Sequence, residues 1–463
     1  MKKALNLILA FVMLISVFAG CGQSAQTTQG STSDTQKVED TQASDIVKSD
    51  NPLDESNANI DWKQFNGSKI RVMMATHFFQ AGVEPHVPEF EKLTGIDVQF
   101  ESYPEQEFWN KLLIEFNGGS SAPDVFMLNY TNIPMYHSGG WIDPLTPYID
   151  NAKITDSKWY DQADLLEKGV DFGTYADNYY GVPVTGEWQI LYYRKDIYEQ
   201  KGLKVPTTMD ELYENCKATN SPEVSGIVMR CARASALWWP WAGFVRTYGS
   251  YWVEDGVSKL DSQESIDATA MYVKLLSDFG PSGIANYTYV EALTDFQQGR
   301  SAHFIDSSGF MAQMEDKSKS TVAGKVGYAL MPAAAKGVDP VPNVNHWMLG
   351  LGKQSANKEA AWLFTQWATS KKMAKVVGLA SGTAARTSIW EDADYRAAYP
   401  QEWIDCSLNS AKYADKLCIP PVPEASQLGD YLEIAVTELM SGNKDTATVM
   451  KDLAKKSNDL LSK

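Results

Sequence analysis

The run Lys69-Ile70-Arg71-Val72-Met73-Met74-Ala75, followed by Pro85 to Thr94, Gly95 and then Asp97-Val98-Gln99-Phe100, decides the fold. Ile70, Val72 and Met74 alternate with their neighbours, the period of a strand. Val87, Phe90 and Leu93 then recur at helical spacing, and Gly95 stands where a helix stops. Asp97 to Phe100 supplies a second strand. Trp109, Leu112, Leu113 and Phe116 form a further helical stripe ending at Gly118-Gly119, and Asp124 to Leu128 is a short apolar run after Pro123. Strands alternating with helices predict a largely parallel sheet covered on both faces. The pattern returns late in the chain, with Trp347 to Leu351 as a buried strand. Ala360, Leu363, Phe364, Trp367 and Ala368 form a helix stripe after a candidate Asn357 cap, and these stripes are read as core.

Outward from this body, Met1-Lys2-Lys3 precedes an apolar stretch from Ala4 to Phe18 and then Ala19-Gly20-Cys21, the layout of a secretory signal over residues 1–20. The stretch is shorter than the roughly 20 apolar residues of a spanning helix. Phe18-Ala19-Gly20-Cys21 resembles a bacterial lipobox, in which the Cys is acylated and becomes the new N-terminus, although Phe18 stands where Leu is usual. The resemblance implies anchoring to the outer face of the cell membrane, each buried methylene adding about 0.8 kcal/mol. A plain secreted protein with a spare thiol is the alternative. Residues 21–59 are rich in Ser, Thr, Gln, Asp and Asn and read as a disordered tether.

About 400 residues remain, more than one core usually supports, so two lobes are expected. The formal charge of -17 becomes -19 without Lys2 and Lys3, which argues against nucleic acid as a partner. Four cysteines follow Cys21 in two local pairs. In an oxidising compartment the simplest pairing is Cys216 with Cys231 and Cys406 with Cys418, four buried free thiols being the alternative. Neither pair has the short spacing of a zinc site, so no metal is expected.

Several segments then match one family in order. Phe90-Glu91-Lys92-Leu93-Thr94-Gly95-Ile96-Asp97-Val98, Ala122-Pro123-Asp124-Val125 and Gly139-Gly140-Trp141-Ile142-Asp143-Pro144-Leu145 are followed by Tyr180-Gly181-Val182-Pro183. Glu187 to Asp196, Pro206 to Leu212, Phe296 to Ala302 and Ser355 to Trp367 complete the series. Taken together these resemble the extracellular solute-binding proteins that deliver sugars to ABC importers, the maltose-binding-like type. Met209 stands where that family often has Trp, and Ala385-Arg386 where Pro-Arg is common.

The resemblance implies an α/β fold of the two-lobed periplasmic-binding-protein type (type II), each lobe a mostly parallel sheet flanked by helices, with crossover hinge strands. It divides the body into 60–186 plus 343–389 and 187–342 plus 390–463. It also implies a carbohydrate ligand, either a mono- or oligosaccharide or a polyol, captured by cleft closure and passed to membrane-embedded permease subunits. A monomer without cofactor or catalytic residues is expected.

Sugars present apolar faces beneath rings of hydroxyls, so their sites need aromatic platforms and polar partners. Matching the family's order of elements places Trp239, Phe310 and Trp347 at the ligand, with Trp238 and Trp188 next. For polar partners the resemblance points to Thr76, His77 and Phe78 after the first strand, Asn129 and Tyr130 after the third, Glu187 at the crossover, Asp306 and His346. Loops at strand C-terminal ends are where open α/β sheets bind ligands. Ordinary core remains the alternative for each ring. His77 and His346 are alternatively solvated or structural, and Asp306 alternatively a helix cap. Arg386 is the single nearby arginine for an anionic ligand. A cation-π site for a quaternary amine, a sensor-linked sugar receptor and a glycoside hydrolase built on Glu187 and Asp306 are the rival functions.

Overall fold

The computed structural model describes residues 48–118, 122–233 and 237–463, so Cys21, the signal segment and most of the expected tether lie outside the described residues. The tether reading to Asn59 is too long at its C-terminal end. Trp159 donates its indole N–H to the Asp54 carbonyl (3.1 Å), and Lys372 meets Glu55, which is buried, at 2.8 Å. The Asn59 amide donates to Asp156 at 2.8 Å. Polar composition does not free a segment whose few polar groups find partners on the folded body.

The first sheet is built from strands β1 (Lys69–Ala75), β2 (Asp97–Tyr103), β3 (Val125–Asn129), β4 (Ile142–Asp143) and β5 (Val182–Pro183). The second uses β6 (Glu187–Arg194), β7 (His303–Ser307), β8 (Val326–Leu330) and β9 (Val344–Asn345), after which β10 (Trp347–Gly352) returns to the first sheet. The first sheet runs β2-β1-β3-β10-β4, with β5 also on β10. Pairs β1–β2 and β1–β3 are parallel, Ile70 facing Val98 and Val72 facing Val125, as the alternation predicts. Pairs with β10 are antiparallel, Trp347 facing Asn129. In the second sheet β7, β8 and β9 all run antiparallel to β6. The first sheet is therefore mixed and the second antiparallel, so neither is mostly parallel.

Local signals hold in detail at several points. The helix Val87–Thr94 ends on Gly95 at φ 73, and the Gly95 amide closes it on the Glu91 carbonyl at 2.7 Å. A separate short helix, Phe78–Val83, precedes it. Asn357 stands at the N-cap of Lys358–Ala368 but makes no capping hydrogen bond, its side chain donating instead to the Lys69 carbonyl at 2.9 Å.

The chain passes between sheets at residues 184–186 and again at His346. The two passages lie side by side, the Val184 amide donating to the Trp347 carbonyl (2.8 Å) and His346 Nδ1 to the Thr185 carbonyl (2.8 Å). It returns to the second sheet after the helix Thr387–Glu391, where Trp390 packs on Trp188 and Trp403 and the helix Gln401–Tyr413 lies along β6 and β8.

The expected disulfides are not formed. All four cysteines are buried free thiols, each turned to its own surroundings, with Cys216 Sγ 3.5 Å from His303 Nδ1 and Cys418 Sγ 3.8 Å from the Pro342 carbonyl. Burial pushes the Cys231 and Cys406 thiols up to about 12, which leaves them protonated and unreactive. Arg386 is likewise no ligand group. It is fully buried and donates to the carbonyls of Thr369, Asp161 and Tyr160.

The core reading of Trp367 is met: its side chain is 1% exposed, among Phe90 and Phe364. Trp367→Ala is expected to lower stability by about 3 to 5 kcal/mol. Thermal and denaturant melts check this, and a loss under about 1 kcal/mol would contradict the packing described.

Candidate functional site

The C-terminal ends of β1, β3 and β7 and the N-terminal ends of β6 and β10 meet at the crossover, and the candidate residues are carried there by backbone that the sequence fixes locally. His77 N-caps the helix Phe78–Val83: its Nδ1 accepts from the Phe79 amide at 3.2 Å, within a capping box completed by Gln80. An accepting Nδ1 leaves the proton on Nε2, which points to Glu187 Oε1 at 3.4 Å. Glu187 opens β6 and is buried; Ser307 donates to its Oε2 at 2.5 Å and Thr185 to its Oε1 at 3.2 Å. Burial opposes its charge, but these donors together with His77 hold the carboxyl below its usual value. Gly309 fits under this group, since a Cβ there would stand 3.1 Å from Glu187 Oε2 and 3.2 Å from the Phe78 ring.

Around these polar groups stand rings from both lobes. Trp347, at the start of β10, stacks on Trp109 at 5.4 Å and 10° and lies 5.0 Å from His77. Phe78 meets Phe310 edge-on at 6.4 Å, and Phe310 stacks on Tyr289 at 5.9 Å and 9°. Arg230 lies over the faces of both Tyr289 and Trp239, 5.4 Å from each centroid. It forms a bidentate pair with Asp306, Nε to Oδ2 at 2.8 Å and Nη2 to Oδ1 at 2.7 Å. Burial works against the guanidinium charge, and the adjacent Asp306 still holds its pKa above the ordinary value.

Trp239 is held by a buried polar brace. Asn343 donates to its carbonyl at 2.7 Å, and Gln189 donates to the Pro240 carbonyl at 2.9 Å while accepting the Asn343 amide at 3.1 Å. The helix Trp238–Thr247 approaches so closely that a Cβ on Gly243 would fall 1.8 Å from Gln189 Oε1. Asn129 also reaches across, its side chain hydrogen-bonded to Asn345 on β9.

Thus His77, Phe78, Asn129, Glu187, Trp239, Asp306, Phe310 and Trp347 come together. Four other candidates do not join the ring cluster. Trp188 follows Glu187 on one strand and so points to the opposite face, where it packs on Trp390 at 5.5 Å. Trp238 lies against Gly429. Tyr130 packs on Phe172 at 4.8 Å. His346 is fully buried in the hinge, where burial pushes its imidazole down to about 4. Asp306 is not the helix cap; Ser307 is, accepting from the Gly309 amide at 3.0 Å.

The residues that sequence reasoning missed are Arg230, Tyr289, Glu105 and Trp109. Arg230 ends the Ile227-Val228-Met229 run, whose Val228 bridges Phe304 of β7 in parallel. An apolar run closed by a charged residue was its only signal. Trp109 sits on the stripe read as core, but is only half-buried, with its indole N–H 3.4 Å from Glu105 Oε1.

Residues 78–375 match the family described as bacterial extracellular solute-binding protein. The chain belongs to that family. This solute-binding protein is 28% identical over 425 residues to the erythritol/L-threitol-binding protein of Mycolicibacterium smegmatis, covering 88% of each chain. It is 27% identical over 362 residues to the mannitol-binding protein of Pseudomonas aeruginosa, covering 72% of this chain and 80% of that one. Among solved structures, the ABC transporter solute-binding protein of Agrobacterium radiobacter K84 in complex with ribitol superposes with a TM-score of 0.78 at 24% identity. That match covers 85% of this chain and 99% of the other, and shows the two-lobed fold.

Proposed function

We propose that this solute-binding protein captures a carbohydrate, a polyol or a mono- or oligosaccharide, between its lobes and delivers it to the permease of an ABC importer. The observation that carries the reading is the ring-walled crossover with a charge-balanced Arg230–Asp306 pair at its centre. Rings supply platforms for C–H faces, and fixed polar groups supply hydroxyl partners. The relatives named for erythritol, L-threitol and mannitol support a polyol. The proposed contacts are His77, Phe78, Asn129, Glu187, Trp239, Asp306, Phe310 and Trp347, joined by Trp109, Arg230 and Tyr289. Tyr130, Trp188, Trp238 and His346 support them from behind.

Binding without catalysis fits the two carboxylates. A glycosidase needs one protonated as the acid; Glu187 is held ionised by its donors and Asp306 is taken up by Arg230. A quaternary amine is disfavoured because the Arg230 guanidinium already occupies faces of Trp239 and Tyr289.

The lobes are taken as 60–186 with 343–389 and 187–342 with 390–463, the short β9 lying at their junction. A ligand touching both walls binds the closed form better and shifts the lobes toward it. Moving the balance from 1:99 to 99:1 takes roughly 5.5 kcal/mol of preference. An acylated Cys21 would tether the monomer to the outer face of the membrane. Metabolic labelling with palmitate should mark the wild type and not Cys21→Ala; an unlabelled wild type would rule the anchor out.

Calorimetric titration with erythritol, ribitol, D-mannitol and maltose tests the ligand class. Trp239→Ala and Phe310→Ala should each weaken binding of the best ligand at least tenfold, about 1.4 kcal/mol, as measured on the folded fraction. Unchanged affinity in both variants would move the site elsewhere.

A further inference from the structure

One arginine stands at the centre of the proposed cleft wall, with two of its five N–H donors used among the described residues. Arg230 spends Nε and Nη2 on Asp306. The opposite edge of the guanidinium, Nη1 with the second proton of Nη2, finds no partner among the described residues. Its plane is fixed twice, by the bidentate pair and by the two flanking ring faces at 5.4 Å. Beside it the buried indole N–H of Trp239 is also without a partner among the described residues. An unpaired buried donor is costly, and one beside the partly exposed free edge of a guanidinium marks a place for acceptor atoms.

We infer that Arg230 is the specificity residue of the cleft, its free edge reading two adjacent hydroxyl oxygens of a neutral ligand. The inference rests on the carbohydrate reading above and deepens it. Two parallel N–H groups in a rigid plane match a vicinal diol as they match a carboxylate, and the charges decide between them. Asp306 already neutralises the guanidinium. Its Oδ1 also accepts the Ser307 amide at 2.8 Å, which fixes the carboxylate in turn. Glu187 lies in the same wall, and Glu105 is near enough to act electrostatically on both Arg230 and Tyr289. With the Arg230 charge taken up by Asp306, a ligand carboxylate would enter against Glu187 and Glu105; a diol adds no charge to that wall. Lysine, a point charge on a flexible stem, cannot reproduce the two-point contact.

The test is calorimetry with ribitol, 1-deoxyribitol, 2-deoxyribitol and ribonate, or the same set built on whichever panel member binds best. Wild type should lose about tenfold or more on at least one deoxy analogue and bind ribonate more weakly than ribitol. Arg230→Lys should bind ribitol about tenfold more weakly and that deoxy analogue no worse than wild type does, the two losses failing to add. A thermal melt verifies folding, and Arg230→Gln replaces the Lys variant if that one does not fold, with the same pattern expected. Wild-type affinity for ribitol in the variant, additive losses, or tighter binding of ribonate would each overturn the inference while leaving the carbohydrate reading standing. A wild type that binds none of the polyols or sugars would sink both.

Discussion

The contact on which the remaining structure depends is the pairing of the two crossover passages, Val184 N–H to the Trp347 carbonyl and His346 Nδ1 to the Thr185 carbonyl. With residues 184–186 and His346 side by side, the last residue of one sheet's strand lies next to the first of the other's. Glu187 and Trp347 therefore start their strands a few residues from the same joint, and the ends of β3 and β7 are drawn to it by their own pairings. Asn129 faces Trp347 and Ser307 faces Gln189 in register. A one-residue slip in either register would turn the cleft residues into the core. His346, kept neutral by burial, fits a joint that carries no charge of its own.

From this joint follows the electrostatic character of the cleft. Each ionised group there is met by donors or by an opposite charge: Glu187 by Ser307, Thr185 and His77, and Asp306 by Arg230. If this wall is the ligand site, as proposed, compensated charges there would leave recognition to hydrogen bonds and ring contact rather than net charge. His77 links this wall to the first lobe, because the imidazole that meets Glu187 also caps the helix Phe78–Val83. Phe78, the first residue of that helix, is thereby set against Phe310 of the second lobe.

Much of the fold was legible. Alternation at Ile70, Val72 and Met74 and the Gly95 stop are local signals, and β1, β2 and the helix between them follow from them. Strand direction in the second sheet was not legible, because β6 and β7 are more than a hundred residues apart and periodicity carries no information about partners. The same limit governed the site. Trp239 was placed by the family's order of elements, but its neighbours on the helix were not separable from it in sequence. Successive side chains turn about 100° on a helix, which sends Trp238 to Gly429 and Trp241 to Thr269 while Trp239 faces Arg230. Arg230 and Asp306 are 76 positions apart, and neither residue announces the other. The cysteines were misread because spacing and compartment were weighed without burial, and burial gives each thiol a separate environment.

The central claim is that one neutral polyhydroxy ligand is held by both lobes at once. The crystal structure of the wild-type protein with its tightest-binding polyol or sugar tests it most directly. The account predicts ligand oxygens within hydrogen-bond distance of Arg230 on one side and of His77 or Asn129 on the other, with Phe310 or Trp347 against the carbon skeleton. A ligand resting on one lobe alone, or bound away from the crossover, would contradict it.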